Sequence, residues 1–161
     1  MRVVGAVKKQ PVTSLKSKAL RKLAMREHSR VELKRKLEAK TEEGDDVEAV
    51  LDRMAETGLQ SDERFAKSYV RSRASRLGTS RLQYELVKRG VTHEVAGAAL
   101  GEVLIEDELT RARGVWSRKF GQPPSDRQEW ARQARFLQSR GFSAEIIRKL
   151  LRDGFDEPAE G

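Results

Sequence analysis

The 161-residue sequence contains no cysteine, which excludes disulfide bonds and thiolate chemistry. No apolar run approaches the roughly 20 residues needed to span a membrane. Met1 to Gln10 carry no apolar segment of the kind a secretory signal needs, so the expected location is the cytoplasm, with no membrane partner. There are two histidines, His28 and His93. They lie far apart, outside any metal-ligand spacing, and both read as solvated residues. No glycine-rich phosphate loop is present. The paired carboxylates Glu42-Glu43 and Asp45-Asp46 fall in one short loop, too solvated to be tuned for acid–base work. These absences leave no candidate catalytic, metal or cofactor-binding residue. The expectation is a non-enzymatic binding protein without cofactor.

Basic charge and helical periodicity are what the chain does have. The formal net charge is +8, with 36% charged and 37% hydrophobic residues. So basic a chain favours a polyanionic partner, nucleic acid first. So modest an apolar fraction favours several thin helical layers over one large core. Only four prolines occur, two of them adjacent at Pro123-Pro124, so little interrupts a helix. Trp116 and Trp130 could stack on bases, but both fall on apolar helical faces and read as packing residues.

Capping signals divide the chain. A first helix is predicted over 15–27, with Ala19, Leu20, Leu23 and Ala24 on one face. Ser29 followed by Glu32 forms a capping box, in which each side chain satisfies an orphan backbone N–H. The helix it opens carries Leu33 and Leu37 and fades near Thr41. Asp45 or Asp46 starts a third, where Val47, Val50, Leu51 and Met54 share a face, and Gly58 stops it. The pattern recurs from Ser61 and Asp62, with Phe65, Ala66, Tyr69, Val70 and Ala74 inward and a stop at Gly78. Thr79 or Ser80 opens the next helix, with Leu82 and Leu86 before Gly90, and Thr92 opens one with Val95, Ala99 and Val103. A last round begins near Asp107, with Leu109, Ala112, Trp116 and Phe120 before Gly121. Ser125 with Gln128 is a further capping box, leading Trp130, Ala134 and Leu137 to Gly141. Ser143 opens a final helix with Ile146, Ile147, Leu150 and Leu151, closed by Gly154.

The rounds are in register. Leu86-Val87-Lys88-Arg89-Gly90-Val91 matches Leu137-Gln138-Ser139-Arg140-Gly141-Phe142, and Leu37-Glu38-Ala39-Lys40-Thr41 occupies the same place in the first round. Anchors recurring about every 50 residues suit a helical repeat array. The predicted fold is all-α, three tandem imperfect three-helix repeats stacked into an elongated, curved array. The expected boundaries are a flexible tail at 1–14 and repeats at 15–59, 60–105 and 106–157.

Charge follows the same period. Residues 1–40 carry three acids, Glu27, Glu32 and Glu38, among many Lys and Arg, whereas 41–66 are rich in Asp and Glu. Bases return from Lys67 to Arg89, acids from Glu94 to Glu108, and arginine dominates again from Arg111 to Arg152. Solvated faces with i,i+4 ion pairs account for some of this, as at Arg53 and Glu56. Segregation by repeat position points beyond it, to a basic stripe formed by the first two helices of each repeat.

One segment is distinctive: Leu59-Gln60-Ser61-Asp62-Glu63-Arg64-Phe65-Ala66, followed by Tyr69-Val70-Arg71-Ser72-Arg73. With His28-Ser29-Arg30-Val31-Glu32-Leu33 before it, and Glu85 to Val91 and Phe136 to Phe142 after it, the chain resembles the RecX family from about Leu15 to Phe155. The stretch Thr41-Glu42-Glu43-Gly44-Asp45 departs from the family pattern, being longer and more acidic than a compact glycine turn. The resemblance implies three tandem three-helix repeats and no cofactor. It also implies a role in DNA repair and the SOS response as an inhibitory regulator that binds RecA filaments on DNA and restrains strand exchange and ATP hydrolysis. Some members also bind single- or double-stranded DNA directly. A monomer is expected.

The candidate partner- or nucleic-acid-binding residues lie in the basic blocks: Lys34, Arg35, Arg71, Arg73, Arg81, Lys88, Arg89, Arg132, Arg135 and Arg140. The alternative is a stand-alone DNA-binding protein of helix-turn-helix type, since short helices joined at Gly78 or Gly90 could mimic that motif. No helix rich in Asn, Gln and Arg at base-reading positions supports it.

Overall fold

The computed structural model describes residues 14–152. Residues 1–13 of the expected 1–14 tail, the stop at Gly154 and the end of the third repeat at 157 lie outside these residues, whereas Ser14 is described and belongs to the start of the first helix. Among the described residues there are nine α-helices and no strand. They form two compact units divided after Ser61.

The first unit holds α1 (Leu15–Met25), α2 (Arg30–Glu38) and α3 (Val47–Glu56), each packed on the other two. Ser14 caps α1 by accepting from the Ser17 N–H, Ser29 caps α2 through the Glu32 N–H, and Asp46 caps α3 through the Ala49 N–H. Such caps are each worth about 1 kcal/mol. Leu15, Ala19, Leu33, Leu37, Leu51 and Met54 make the core, with Leu23, Val47 and Val50 at its edge. The inner face of α1 thus runs through positions 15, 19 and 23. Leu20 and Ala24, expected on that face, are exposed. A pure i, i+4 stripe suffices because α1 is covered on one side only. Gly58 has a φ of +73°, a region from which only glycine escapes the Cβ penalty. The acidic loop after α2 closes on itself: the Asp45 carboxylate accepts from the Glu42 N–H at 2.8 Å, and Gly44 takes a φ of +89°.

His28 is not the solvated residue expected. It is 1% exposed. Its Nδ1 donates to the Arg26 carbonyl at 3.0 Å, leaving Nε2 to accept from Lys36 Nζ at 2.8 Å. Gln60 Nε2 donates to the His28 carbonyl at 3.3 Å. Position 28 is the hinge between α1 and α2, and the side chain fills the gap the hinge leaves. The bond from Gln60 comes from 32 residues along the chain, which no local pattern encodes.

The second unit holds two further triplets: α4 (Asp62–Arg73), α5 (Thr79–Lys88) and α6 (His93–Val103), then α7 (Glu108–Lys119), α8 (Arg127–Ser139) and α9 (Ala144–Arg152). Within each triplet all three helices pack together. Phe65, Ala66, Tyr69, Val70, Leu82, Leu86, Val91, Ala96, Ala99 and Leu100 form one core. Ala112, Val115, Leu137, Phe142, Ile147, Leu150 and Leu151 form the other, with Trp116 and Trp130 packed against it. Trp116 donates its indole N–H to the buried Gln133 at 2.7 Å, in keeping with a packing role. Thr92 and Asp107 cap α6 and α7. The cap of α8 is Asp126, accepting from the Glu129 N–H at 2.7 Å, one residue later than the predicted Ser125–Gln128 box. A carboxylate there is also favoured by the positive helix terminus.

Gly78 also differs from expectation. It does not stop α4, and its φ is −76°. Its reason is close approach. A Cβ there would lie 2.3 Å from the Gly141 carbonyl oxygen, and its N–H donates to the Arg140 carbonyl at 2.7 Å. Gly141 has both constraints: a φ of +92°, and a position where a Cβ would come within 2.1 Å of the Arg81 Cβ. Two glycines at backbone contact thus fasten the end of α8 to the start of α5. Arg111 of α7, itself buried, adds to this seam by donating to the carbonyls of Ala74 and Leu77 and to Thr79 Oγ1.

Candidate functional site

On α2 the expected basic face is partly neutralised from within its own unit. Because α3 packs alongside, Glu48 reaches Lys34 at 2.6 Å and Arg30 at 3.0 Å, and Asp52 reaches Arg30 at 2.6 Å. The hydrogen bond from Lys34 holds the Glu48 carboxyl below its ordinary range, and the same bond raises the lysine. Both groups are solvated, so the pair adds little stability. Arg35, one position on, is exposed.

The densest arrangement of predicted residues is in the second triplet, around Tyr69. This side chain is buried, with its hydroxyl donating to Glu85 Oε2. The guanidinium carbons of Arg73 and Arg89 lie 3.9 and 4.6 Å from its ring centroid. Arg81 Nε donates to the other Glu85 oxygen at 3.1 Å. Burial, then the bond to Glu85, pushes the tyrosine up to about 12. Burial also pushes the Glu85 carboxyl up, but the bonds from Tyr69 and Arg81 outweigh it, and the net shift is downward. Arg81 thus holds the carboxylate that Tyr69 also bonds, while Arg73 and Arg89 lie against the tyrosine ring. Each cation–π contact contributes on the order of 0.5–2 kcal/mol. The helical spacing of Tyr69 and Arg73 is legible in sequence. The approach of Arg89 and Glu85 from α5 is not.

Lys88 is exposed on α5, and so is Tyr84 on the same helix, with 62% of its surface accessible. Tyr84 escaped the sequence reading, although an aromatic spaced three residues from Arg81 and four from Lys88 is a helical-face signal. Arg71 is exposed at a groove between α4, the α6–α7 connection and α7, beside Val103, Leu104 and Ile105.

In the third triplet Arg132 pairs with Glu129 at 3.4 Å and lies 5.4 Å from the Phe120 ring. Arg135 is exposed. Arg140 sits 5.1 Å from the Phe136 ring, which packs edge-on against Phe120. The glycine seam sets Arg140 beside the helix that carries Arg81. It also brings in three cations not predicted from sequence: Arg76, Arg118 and Lys119, which line one cavity with Arg140. Among the described residues no group of His, Asp and Glu could hold a metal ion, and no helix is long and apolar enough to cross a membrane. The arrangement can bind polyanionic or acidic surfaces.

Comparison with known proteins supplies a family context. Family models for the RecX first, second and third three-helix domains match residues 16–54, 61–100 and 106–151. The regulatory protein RecX of Leptothrix cholodnii is 47% identical over 143 residues, covering 89% of this chain and 90% of that protein. That of Ralstonia nicotianae is 46% identical, covering 95% of this chain and 99% of the relative. The crystal structure of RecX from Lactobacillus salivarius shares the fold with a TM-score of 0.71 at 22% identity, over 86% of this chain and 93% of that one.

Proposed function

The chain belongs to the RecX family, and on that premise we propose that it is a non-enzymatic, cytoplasmic, monomeric inhibitor of RecA recombinase, binding along the RecA–DNA filament. In this reading the repeats, bounded at about 15–59, 60–105 and 106–157, contact neighbouring recombinase subunits. Modest contacts then reinforce one another through effective concentration. The bound protein obstructs the entry of a second DNA and hinders the subunit movements of ATP turnover, so strand exchange and ATP hydrolysis both fall.

The observation that carries the reading is the cluster of Arg73, Arg81 and Arg89 around Tyr69 and Glu85. Three guanidiniums pre-ordered by one ring and one carboxylate lose little side-chain entropy on binding an acidic surface. Lys34, Arg35, Arg71, Lys88, Arg132, Arg135 and Arg140 extend the proposed contact.

The test sets the parent against the triple variant Arg81→Glu, Lys88→Glu, Arg89→Glu, once circular dichroism shows that the variant folds. The expected result is loss of inhibition of both strand exchange and recombinase ATPase, because repulsion replaces attraction at each contact. A folded variant that inhibits as well as the parent removes the second triplet from the docking surface. A parent that changes neither activity at saturation ends the regulator reading. Much tighter binding to bare than to recombinase-coated single-stranded DNA at physiological salt would favour a stand-alone DNA-binding protein.

A further inference from the structure

One cavity of the second unit gathers basic side chains at a single point. It has a volume of about 220 Å³ and is lined by Arg76, Val115, Arg118, Lys119, Phe136 and Arg140. Several cations elsewhere meet carboxylates, among them Arg30, Lys34, Lys67, Arg81, Arg132 and Lys149. Here four cations converge, and among the described residues none of them pairs with an acid. Their positions are held by other means. Arg76 donates to the Ser72 carbonyl at 3.5 Å, and Arg118 donates to the Ser75 carbonyl. Lys119 and Arg140 lie 5.6 and 5.1 Å from the Phe136 ring centroid.

Cations in the last turn of α7 and at the end of α8 suit the negative helix termini. That accounts for one charge at each helix end. It does not account for two helices and the connector after α4 delivering their cations to one concavity, where mutual repulsion opposes the folded state. An entering anion reverses the sign of that term. Guanidinium groups present paired N–H donors matched to phosphate oxygens. Val115 and Phe136 supply an apolar lining, and the planar Arg140 guanidinium, 5.1 Å from the Phe136 ring centroid, is a group on which a nucleobase can stack. A carboxylate side chain would use the cations and leave that lining wet.

We infer that this cavity binds one nucleotide of single-stranded nucleic acid, its phosphodiester on Arg118, Lys119 and Arg76 and its base against Arg140 and Phe136. A base held in a duplex cannot reach the lining, so single strands are preferred to duplexes. This contact goes beyond filament docking and needs no recombinase, so its failure and the failure of the regulator reading are separable.

The experiment titrates a fluorescent short oligothymidylate with the full chain at moderate salt, reading anisotropy. The variant is Arg118→Gln with Arg140→Gln. The control is Lys16→Gln with Arg21→Gln, which removes the same charge from α1. The cavity variant should lose about tenfold or more in affinity, as expected when charge-assisted contacts to phosphate are removed, and the control should lose far less. Equal losses in the two variants would mean diffuse electrostatics and overturn the site. A strand of abasic residues should bind more weakly than oligothymidylate, and equal binding overturns the nucleotide assignment. Polyglutamate of matched charge should compete poorly. If it competes as well as unlabelled oligothymidylate, the cavity takes carboxylates and the proposal fails. Should the cavity variant not fold, the arginine Nε–H signals of the parent decide by nuclear magnetic resonance. Oligothymidylate should shift those of Arg118 and Arg140, and unmoved signals at saturation refute the site.

Discussion

Replacing Gly141 by alanine tests the seam on which the second unit depends. Two costs add at this position. The φ of +92° places an L-residue in the left-handed region, at about 1–2 kcal/mol. The new methyl would also sit 2.1 Å from Arg81 Cβ and 2.6 Å from the Arg81 backbone nitrogen. These atoms belong to the start of a helix, so relief requires moving backbone, and overpacking of this kind costs typically about 1–3 kcal/mol. Reduced freedom of the unfolded chain returns about 0.4–1 kcal/mol. The net expectation is a loss of roughly 2–4 kcal/mol. Gly121→Ala is the internal control. Its φ is +68°, and its Cβ would meet only the Ser117 carbonyl, at 3.3 Å, so the backbone cost less the same unfolded-chain return leaves a loss of roughly 0–1.5 kcal/mol. Urea unfolding followed by the fluorescence of Trp116 and Trp130, both in the same unit, reads the two on one scale. If Gly141→Ala costs no more than Gly121→Ala, the close approach of α8 to α5 contributes nothing to stability and the account of the seam is wrong.

Phe65, Leu86 and Leu137 are fully or nearly fully buried, and truncating each to alanine should cost about 2–5 kcal/mol, read as a shift in the urea midpoint; an unchanged midpoint for Phe65→Ala would misplace the second triplet's core. Removing the Tyr69 hydroxyl with Tyr69→Phe takes away a hydrogen bond to a charged acceptor and should cost roughly 1.5–3 kcal/mol; a neutral result would detach Tyr69 from Glu85. Burial lowers the pKa of His28, chiefly by desolvation, so below its ordinary value of about 6.5 the unfolded chain takes up a proton that the folded chain resists. Thermal stability should therefore be insensitive to this residue above about pH 7 and fall as pH drops below about 6.5. His28→Asn should flatten that fall, and an unchanged pH profile would show that His28 is not the group responsible. Direct binding to single strands should weaken with salt, log affinity falling by about 0.7 per phosphate neutralised in each unit of log salt; a flat salt dependence would argue against phosphate contacts.

Much of this protein is set by signals acting within one helical turn, and those are readable without a structure. A side chain at an N-cap reaches the N–H two or three residues on, so Ser29, Thr92 and Asp107 mark their helices from sequence. A glycine after a helix relieves a clash internal to its own backbone, so Gly58, Gly90 and Gly141 mark stops, each with positive φ. Apolar spacing places Leu51, Phe65, Leu86, Leu137 and Leu151 inward, and similarity between rounds gives the three-helix period. What escapes such reading depends on partners far along the chain. Gly78 looks like a helix stop and is a point of backbone contact with Gly141, 63 residues on. Lys34 reads as a free cation until α3 folds back and sets Glu48 beside it. His28 reads as a solvated residue and is buried, its ring bonded to Lys36 and its carbonyl to Gln60, 32 residues on. Arg76, Arg118, Lys119 and Arg140 come from three separate elements, and only the packing of one triplet against the next turns them into a single cationic cavity.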